Sequence, residues 1–424
     1  MIRLGCIADD FTGATDLANN LVRAGMRVVQ TIGVPERAPD PDLDAIVVAL
    51  KTRTIPSEEA VVQSLAALGW LRAHGATQVY FKYCSTFDST PQGNIGPVTE
   101  ALTDALSGVP GAEFTIATPA FPDNGRTVFL GHLFVGDVPL NESGMQHHPL
   151  TPMTDANLVR VMQAQCRRKV GLVDYRVVGK GPEAIRARFD TLRAQGVGIA
   201  IVDAISNDDL MRLGPALNDM PLVTAASGVA IALPPNFGIA PTNAASRLPK
   251  ASGTRAVIAG SCSSATRRQV RSFIDAGGAA FAVDAMQIAS DDVRRGALAW
   301  CAPRLAEGPV LVYSTADPDT VKSVQQRLGA DAAGALVERT LAAVARGLVE
   351  LGVRQLVVAG GETSGACVQA LNVSQMKIGP QIDPGVPWCY ARSDTSSPIA
   401  LHLALKSGNF GADDFFAKAF AMLE

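Results

Sequence analysis

Two adjacent carboxylates, Asp9 and Asp10, follow the apolar run of residues 4–8 and precede Phe11-Thr12-Gly13, which reads as a turn. Residues 14–23 then carry apolar side chains at Ala14, Leu17, Ala18, Leu21 and Val22, a helical spacing closed by Gly25. The carboxylates therefore stand where a first strand ends and a helix begins, the edge at which open parallel sheets bind ligands. Neighbours in an extended chain point to opposite faces, so one aspartate can meet a substrate while the other braces the turn. The plainer alternative is that Asp9, Asp10 or Thr12 caps the helix.

Three more polar clusters follow strand-like runs. Lys51-Thr52-Arg53-Thr54 follows AIVVAL, and Lys82 to Thr86 with Asp88, Ser89 and Thr90 follows QVYFKY. Residues 119–126, PAFPDNGR, follow EFTIAT. In a parallel sheet all four clusters gather at one edge. They offer cations for a carboxylate (Arg53, Lys82), hydroxyls for sugar hydroxyls (Ser85, Thr86) and proton acceptors (Asp9, Asp10, Asp88). That set suits a small polyhydroxylated acid. Taken singly, Arg53 and Lys82 could be surface ion pairs and the Ser/Thr run an ordinary turn.

The second half holds three glycine loops suited to phosphate: Gly260-Ser261-Cys262-Ser263-Ser264 after RAVIA, Gly360-Gly361-Glu362-Thr363-Ser364-Gly365 after QLVVA, and Ser407-Gly408-Asn409-Phe410-Gly411 after Lys406. Glycine lets backbone N–H groups approach phosphate oxygens, a helix N-terminus adds partial positive charge, and Lys406 could add a formal one. Unliganded glycine turns are common in α/β proteins, so the weight lies in having three. No GxxxxGK[ST] occurs, which excludes a P-loop NTPase. Gly179-Lys180-Gly181-Pro182-Glu183-Ala184 fits a relaxed dinucleotide pattern. Pro182 suits a helix start, however, and Asp203, the nearest acid, belongs to its own strand. His147 and His148 lack companion ligand spacing, so no metal ligands are assigned.

The elements positioning these residues alternate. Strands are predicted over 27–34, 45–50, 78–83, 113–118 and 198–203, and helices over 57–74, 93–106, 155–169 and 183–195. The polar, proline-rich stretch 139–154 reads as a functional loop or lid. The texture breaks between residues 228 and 253. Beyond it come strands over 255–259, 309–313 and 355–359, with helices over 265–276 and 332–351. The expected fold is α/β with two domains, each a largely parallel sheet covered by helices. The expected boundaries are 1–235, a linker at 236–254, and 255–424.

The 424 residues exceed one ordinary core, and 47% hydrophobic with 18% charged residues describe a well-packed α/β protein. A net charge of −3, from 37 basic and 40 acidic residues, argues against a nucleic-acid partner. No apolar run reaches the roughly 18 residues of a membrane span, and charge at Arg3 and Asp9-Asp10 argues against a secretory leader. Seven scattered cysteines without a CxxC predict reduced thiols and a cytoplasmic location. A homo-oligomer is left open.

The stretches IADDFTGATD, FKYCSTFDSTPQGNIG, PAFPDNGRTVFLGHLFV, GSCSSATRRQV, VVAGGETSGACVQAL and LKSGNFG together resemble the four-carbon acid sugar kinase family, over nearly the whole chain. Loop 139–154 looks like its 3-oxo-tetronate 4-kinase branch rather than the D-threonate or D-erythronate branches. The resemblance implies an N-terminal acid-sugar domain, a C-terminal nucleotide domain and an active-site cleft between them, with ATP and Mg²⁺ as cofactors. It carries an ATP site onto Ser261, Gly360 to Gly365 and Gly408. Asp9 and Asp10 become the catalytic candidates, and Arg53, Lys82, Ser85, Thr86 and Asp88 the substrate-binding ones. Outside this family the rivals are a sugar-acid sensor that uses nucleotide only structurally, and a dehydrogenase on the same acids.

Overall fold

The computed structural model describes residues 2–148, 150–283, 291–314, 330–394 and 397–423. The chain forms two compact units, Met1–Ser246 and Arg247–Glu424.

In the first unit the strands are β1 (Leu4–Ala8), β2 (Val28–Ile32), β3 (Ala45–Ala49), β4 (Gln78–Lys82) and β5 (Thr115–Thr118). A small antiparallel sheet, β6 (Arg126–Phe129), β7 (His132–Val135) and β8 (Val138–Pro139), follows. Then come β9 (Lys169–Val173), β10 (Val197–Val202) and β11 (Leu222–Ala225). The main sheet runs β2-β3-β1-β4-β11-β5-β10-β9, every neighbouring pair parallel. Every residue of β1, β3 and β4 is buried, the pattern of strands covered on both faces. Register aligns Ala8 with Ala49 and Lys82, and Ala225 with Lys82 and Thr118. The polar clusters that follow these strands therefore leave the sheet at one edge.

Local chemistry moved two helix boundaries and hid one strand. The first helix spans Phe11–Arg23, so Phe11-Thr12-Gly13 is its first turn, because the Asp10 carboxylate accepts from the Gly13 N–H at 3.1 Å. The helix expected over 155–169 is only Leu158–Gln163, with β9 beginning at Lys169. Gln163 ends it: its amide donates to the carbonyls of Cys166 and Arg168 and accepts from the Val170 N–H. Strand β11, central in the sheet, carries no periodic signal in four residues. Its place comes from pairing on both sides and from the Thr224 hydroxyl, which donates to Ile116 O at 2.8 Å.

The second unit holds β12 (Thr254–Ala259), β13 (Ala279–Ala282), β14 (Val310–Tyr313), β15 (Val353–Ala359), β16 (Val373–Asp383), β17 (Val386–Ser393) and β18 (Ala400–Lys406). Strands β13-β14-β12-β15-β18 are parallel, and β18-β17-β16 continue antiparallel. Trp388, Phe415, Phe416 and Phe420 are buried together, and the Trp388 indole donates to Ala419 O at 2.7 Å, satisfying its one polar atom. Helices Ser264–Asp275 and Gly361–Ala370 start just beyond β12 and β15, so both N-termini lie at the carboxyl ends of their strands.

Candidate functional site

At the carboxyl edge of the first sheet the aspartates meet the cations. Arg53 grips Asp9 with two hydrogen bonds, Nε to Oδ2 at 2.8 Å and Nη2 to Oδ1 at 2.9 Å, and Nη2 also donates to Asp10 Oδ1 at 2.7 Å. Its Nη1 lies 3.9 Å from Asp88, and Lys82 Nζ lies 3.5 Å from Asp10. The Thr86 hydroxyl donates to Asp88 at 2.6 Å, and Ser85 is buried beside it. Arg53 is carried by a loop that Asn94 holds, its amide donating to the carbonyls of Thr52, Arg53 and Ile55. Gly13 has no room for a side chain: a Cβ there would fall 1.8 Å from Lys82 Nζ and 2.1 Å from Asp10 Oδ1.

The two aspartates differ electrically. Burial pushes the Asp9 carboxyl above its ordinary range despite Arg53. For Asp10 burial acts the same way, but Arg53, Lys82, the Thr12 hydroxyl and the Gly13 N–H outweigh it and hold it well below that range. Asp10 is thus both helix cap and member of the charged cluster, so the two readings of this stretch coexist. In the second turn of the helix, Asp16 is buried, accepts from the Ser227 hydroxyl, and is pushed up to about 7 by burial. The ADDFTGATD pattern contained Asp16, but only its helix position turns it toward this edge.

Stretch 139–154 is tied to the same edge. Leu140, Thr151 and Met153 are buried, and the Ser89 N–H points at Met153 Sδ, 3.4 Å away, next to Asp88. His148 Nδ1 accepts from the Thr151 N–H and sits 2.8 Å from its hydroxyl, which makes it a turn constraint. Among the described residues no three His, Cys, Asp or Glu side chains form a metal-holding group. Asp203 accepts from the N–H groups of Leu130, Gly131 and Tyr175, and Pro182 opens the helix Pro182–Ala194, so both belong to the scaffold.

In the second unit the three glycine loops converge. The N–H groups of Gly260 and Ser261 donate to Ala359 O, and the Gly360 N–H donates to Lys406 O. Ser263 caps the helix Ser264–Asp275 and donates to Gly408 O at 2.5 Å. A Cβ on Gly408 would lie 2.4 Å from Ser261 Oγ, and Gly360 has φ +127°, a conformation L side chains rarely adopt. Gly361 and Glu362 are exposed in the first helical turn, whereas the side chains of Thr363 and Ser364 are buried. The Ser364 N–H is spent on Gly360 O, so neither side chain of this pair nor the Ser364 N–H is on offer to a ligand.

Lys406 is a correction to the expectation of a charge beside phosphate. It is fully buried, and its Nζ donates to Thr266 Oγ1 and to the carbonyls of Ser407, Gly408 and Phe410 at 3.0–3.1 Å. It holds the loop from beneath, and burial pulls its pKa down to about 7.

A sheet edge lined with carboxylates, cations and hydroxyls in one unit, and glycine loops at helix N-termini in the other, define a sugar-binding and a nucleotide-binding half. Residues 4–233 match the model of the sugar-binding N-terminal domain and residues 256–416 that of the nucleotide-binding C-terminal domain. The chain belongs to the four-carbon acid sugar kinase family. It is 59% identical to a 3-oxo-tetronate kinase of Burkholderia multivorans and 57% identical to one of Pseudomonas fluorescens, each across 99% of this chain and 97% of the relative. Among solved structures, a Salmonella typhimurium protein superposes with TM-score 0.87 at 42% identity, covering 100% of both chains. A Haemophilus influenzae protein gives 0.78 at 46%, covering 99% of this chain and 100% of its own.

Proposed function

We propose that this chain transfers the γ-phosphate of ATP to the 4-hydroxyl of 3-oxo-tetronate. The observation carrying this reading is near-full-length identity of 59% to a 3-oxo-tetronate kinase. The charged edge of the first unit is chemistry suited to such an acid. Phosphoryl transfer depends mainly on positioning and charge stabilisation. Asp9, whose carboxyl is pushed up, accepts the proton of the attacking hydroxyl, while Asp10 stays ionised and braces the helix. Arg53 and Lys82 hold that pair in place, and Ser85, Thr86 and Asp88 orient the oxygens of the carbon chain. The Ser261 hydroxyl, the first-turn backbone of the helix that starts within Gly360 to Gly365, and the Gly408 loop cradle the phosphates.

With no ready three-ligand group among the described residues, Mg²⁺ would take its oxygens chiefly from phosphate, with Asp9 or Asp10 the available carboxylates. When bound, it neutralises phosphate charge. Location is cytoplasmic, residues 236–254 link the domains, and the partners are the two small molecules, with no nucleic acid or membrane. Among the described residues no helix is long and apolar enough to cross a membrane.

The test is ADP release with Mg-ATP and freshly prepared 3-oxo-tetronate, D-erythronate, L-threonate or D-threonate. Release with the 3-oxo acid alone is expected. Release with another acid moves the branch. No release, with ATP still raising the melting temperature, leaves a sensor.

A further inference from the structure

A substrate that carries a carboxylate needs a cation whose charge is not already matched. Besides the exposed Lys51, three cations among the described residues bear on the charged cluster at the carboxyl edge of the first sheet: Arg53, Lys82 and Arg126. Arg53 already contacts Asp9, Asp10 and Asp88 at 2.8, 2.7 and 3.9 Å. Lys82, only 3% exposed, faces Asp10. An incoming carboxylate would have to displace one of these fixed partners.

Arg126 differs. It opens β6, fixed by a two-way backbone pairing with Phe121, just beyond β5. Among the described residues no carboxylate lies within ion-pair distance of it. Its Nη1 donates to Asn124 O, and its Nε–H is buried without an acceptor. Cys84, Asp16 and Asp88 are near enough to act on its guanidinium, which places it beside the same cluster. A partly buried cation lacking a counter-ion is costly, and a ligand that supplies the missing anion recovers that cost.

We infer that Arg126 receives the carboxylate of the acid substrate, setting the carbon chain so that its far hydroxyl meets Asp9. This assignment rests on the proposed reaction and names the end of the substrate that Arg53 and Lys82 do not hold. Arg126 is then the residue that separates a sugar acid from the neutral sugar of the same length.

Calorimetric titration of 3-oxo-tetronate and of erythrulose, an uncharged four-carbon ketose, into the wild-type protein, R126M and R126K tests it. Losing a charge-assisted fork should weaken binding of the acid by about 10- to 100-fold in R126M, with R126K in between. Erythrulose and ATP affinities should not move, and KM for the acid should rise far more than kcat falls. Unchanged acid binding in R126M overturns the inference, as does an equal loss for erythrulose, which would mark a structural role. A wild-type protein that neither binds the acid nor releases ADP would overturn the functional reading itself, a different result from either. If R126M does not fold, R126K and R126Q carry the same comparison.

Discussion

The charged cluster assigns different duties to neighbouring side chains. Asp9→Asn should lower kcat by about 10²- to 10⁴-fold, the usual worth of a general base, and leave ATP affinity unchanged, as stopped-time ADP assays and calorimetry would report. Asp10→Ala removes a helix cap as well as a charge, so it should also cost about 1 kcal/mol or more of stability in urea titrations, whereas Asp10→Asn keeps a capping oxygen and removes the charge alone. Asp16 gives a pH signature. Its carboxyl is pushed from 3.8 up to about 7, so between those values the folded protein holds a proton the unfolded chain has released. Its contribution to stability therefore falls as pH rises through that window, and Asp16→Asn should flatten the fall in melting temperature. Lys406→Met removes the one donor shared by four oxygens beneath the Gly408 loop, and should raise KM for ATP without changing acid binding.

Single elements decide whether the loops hold their shape. Gly360→Ala forces a side chain into φ +127°, a strain of about 1–3 kcal/mol. ATP binding should weaken in that variant while acid binding persists. Gly408→Ala should behave alike, because its Cβ would strike Ser261 Oγ. Continuous apolar runs such as LGCIA and AIVVA were legible as buried strands, since both faces are covered and every position reads alike. Strand β11 was not: LVTA is too short to show a period, and its pairing partners are more than a hundred residues away. The long helix expected at 155–169 failed for a local reason, the Gln163 side chain bonding the backbone ahead of it.

At the scale of the molecule, two ligand sites built on separate units should respond separately. Acid at about a hundred times its Kd should stabilise the protein by roughly 2.7 kcal/mol. Asp9→Asn and Arg53→Met should diminish that shift and spare the one caused by ATP; Gly360→Ala should do the reverse. Scanning calorimetry with each ligand checks both. The sequence by itself determined the α/β alternation and the grouping of polar clusters after strands. Both follow from residue type and spacing, which act over a few positions. Tertiary structure decided the order of strands, the central place of β11, the grip of Arg53 on two carboxylates and the burial of Lys406. It also left Arg126 without a carboxylate at ion-pair distance among the described residues. Those outcomes depend on which distant segments pack together, and burial and pairing, rather than residue type, set whether a charge is spent on the fold or left for a ligand.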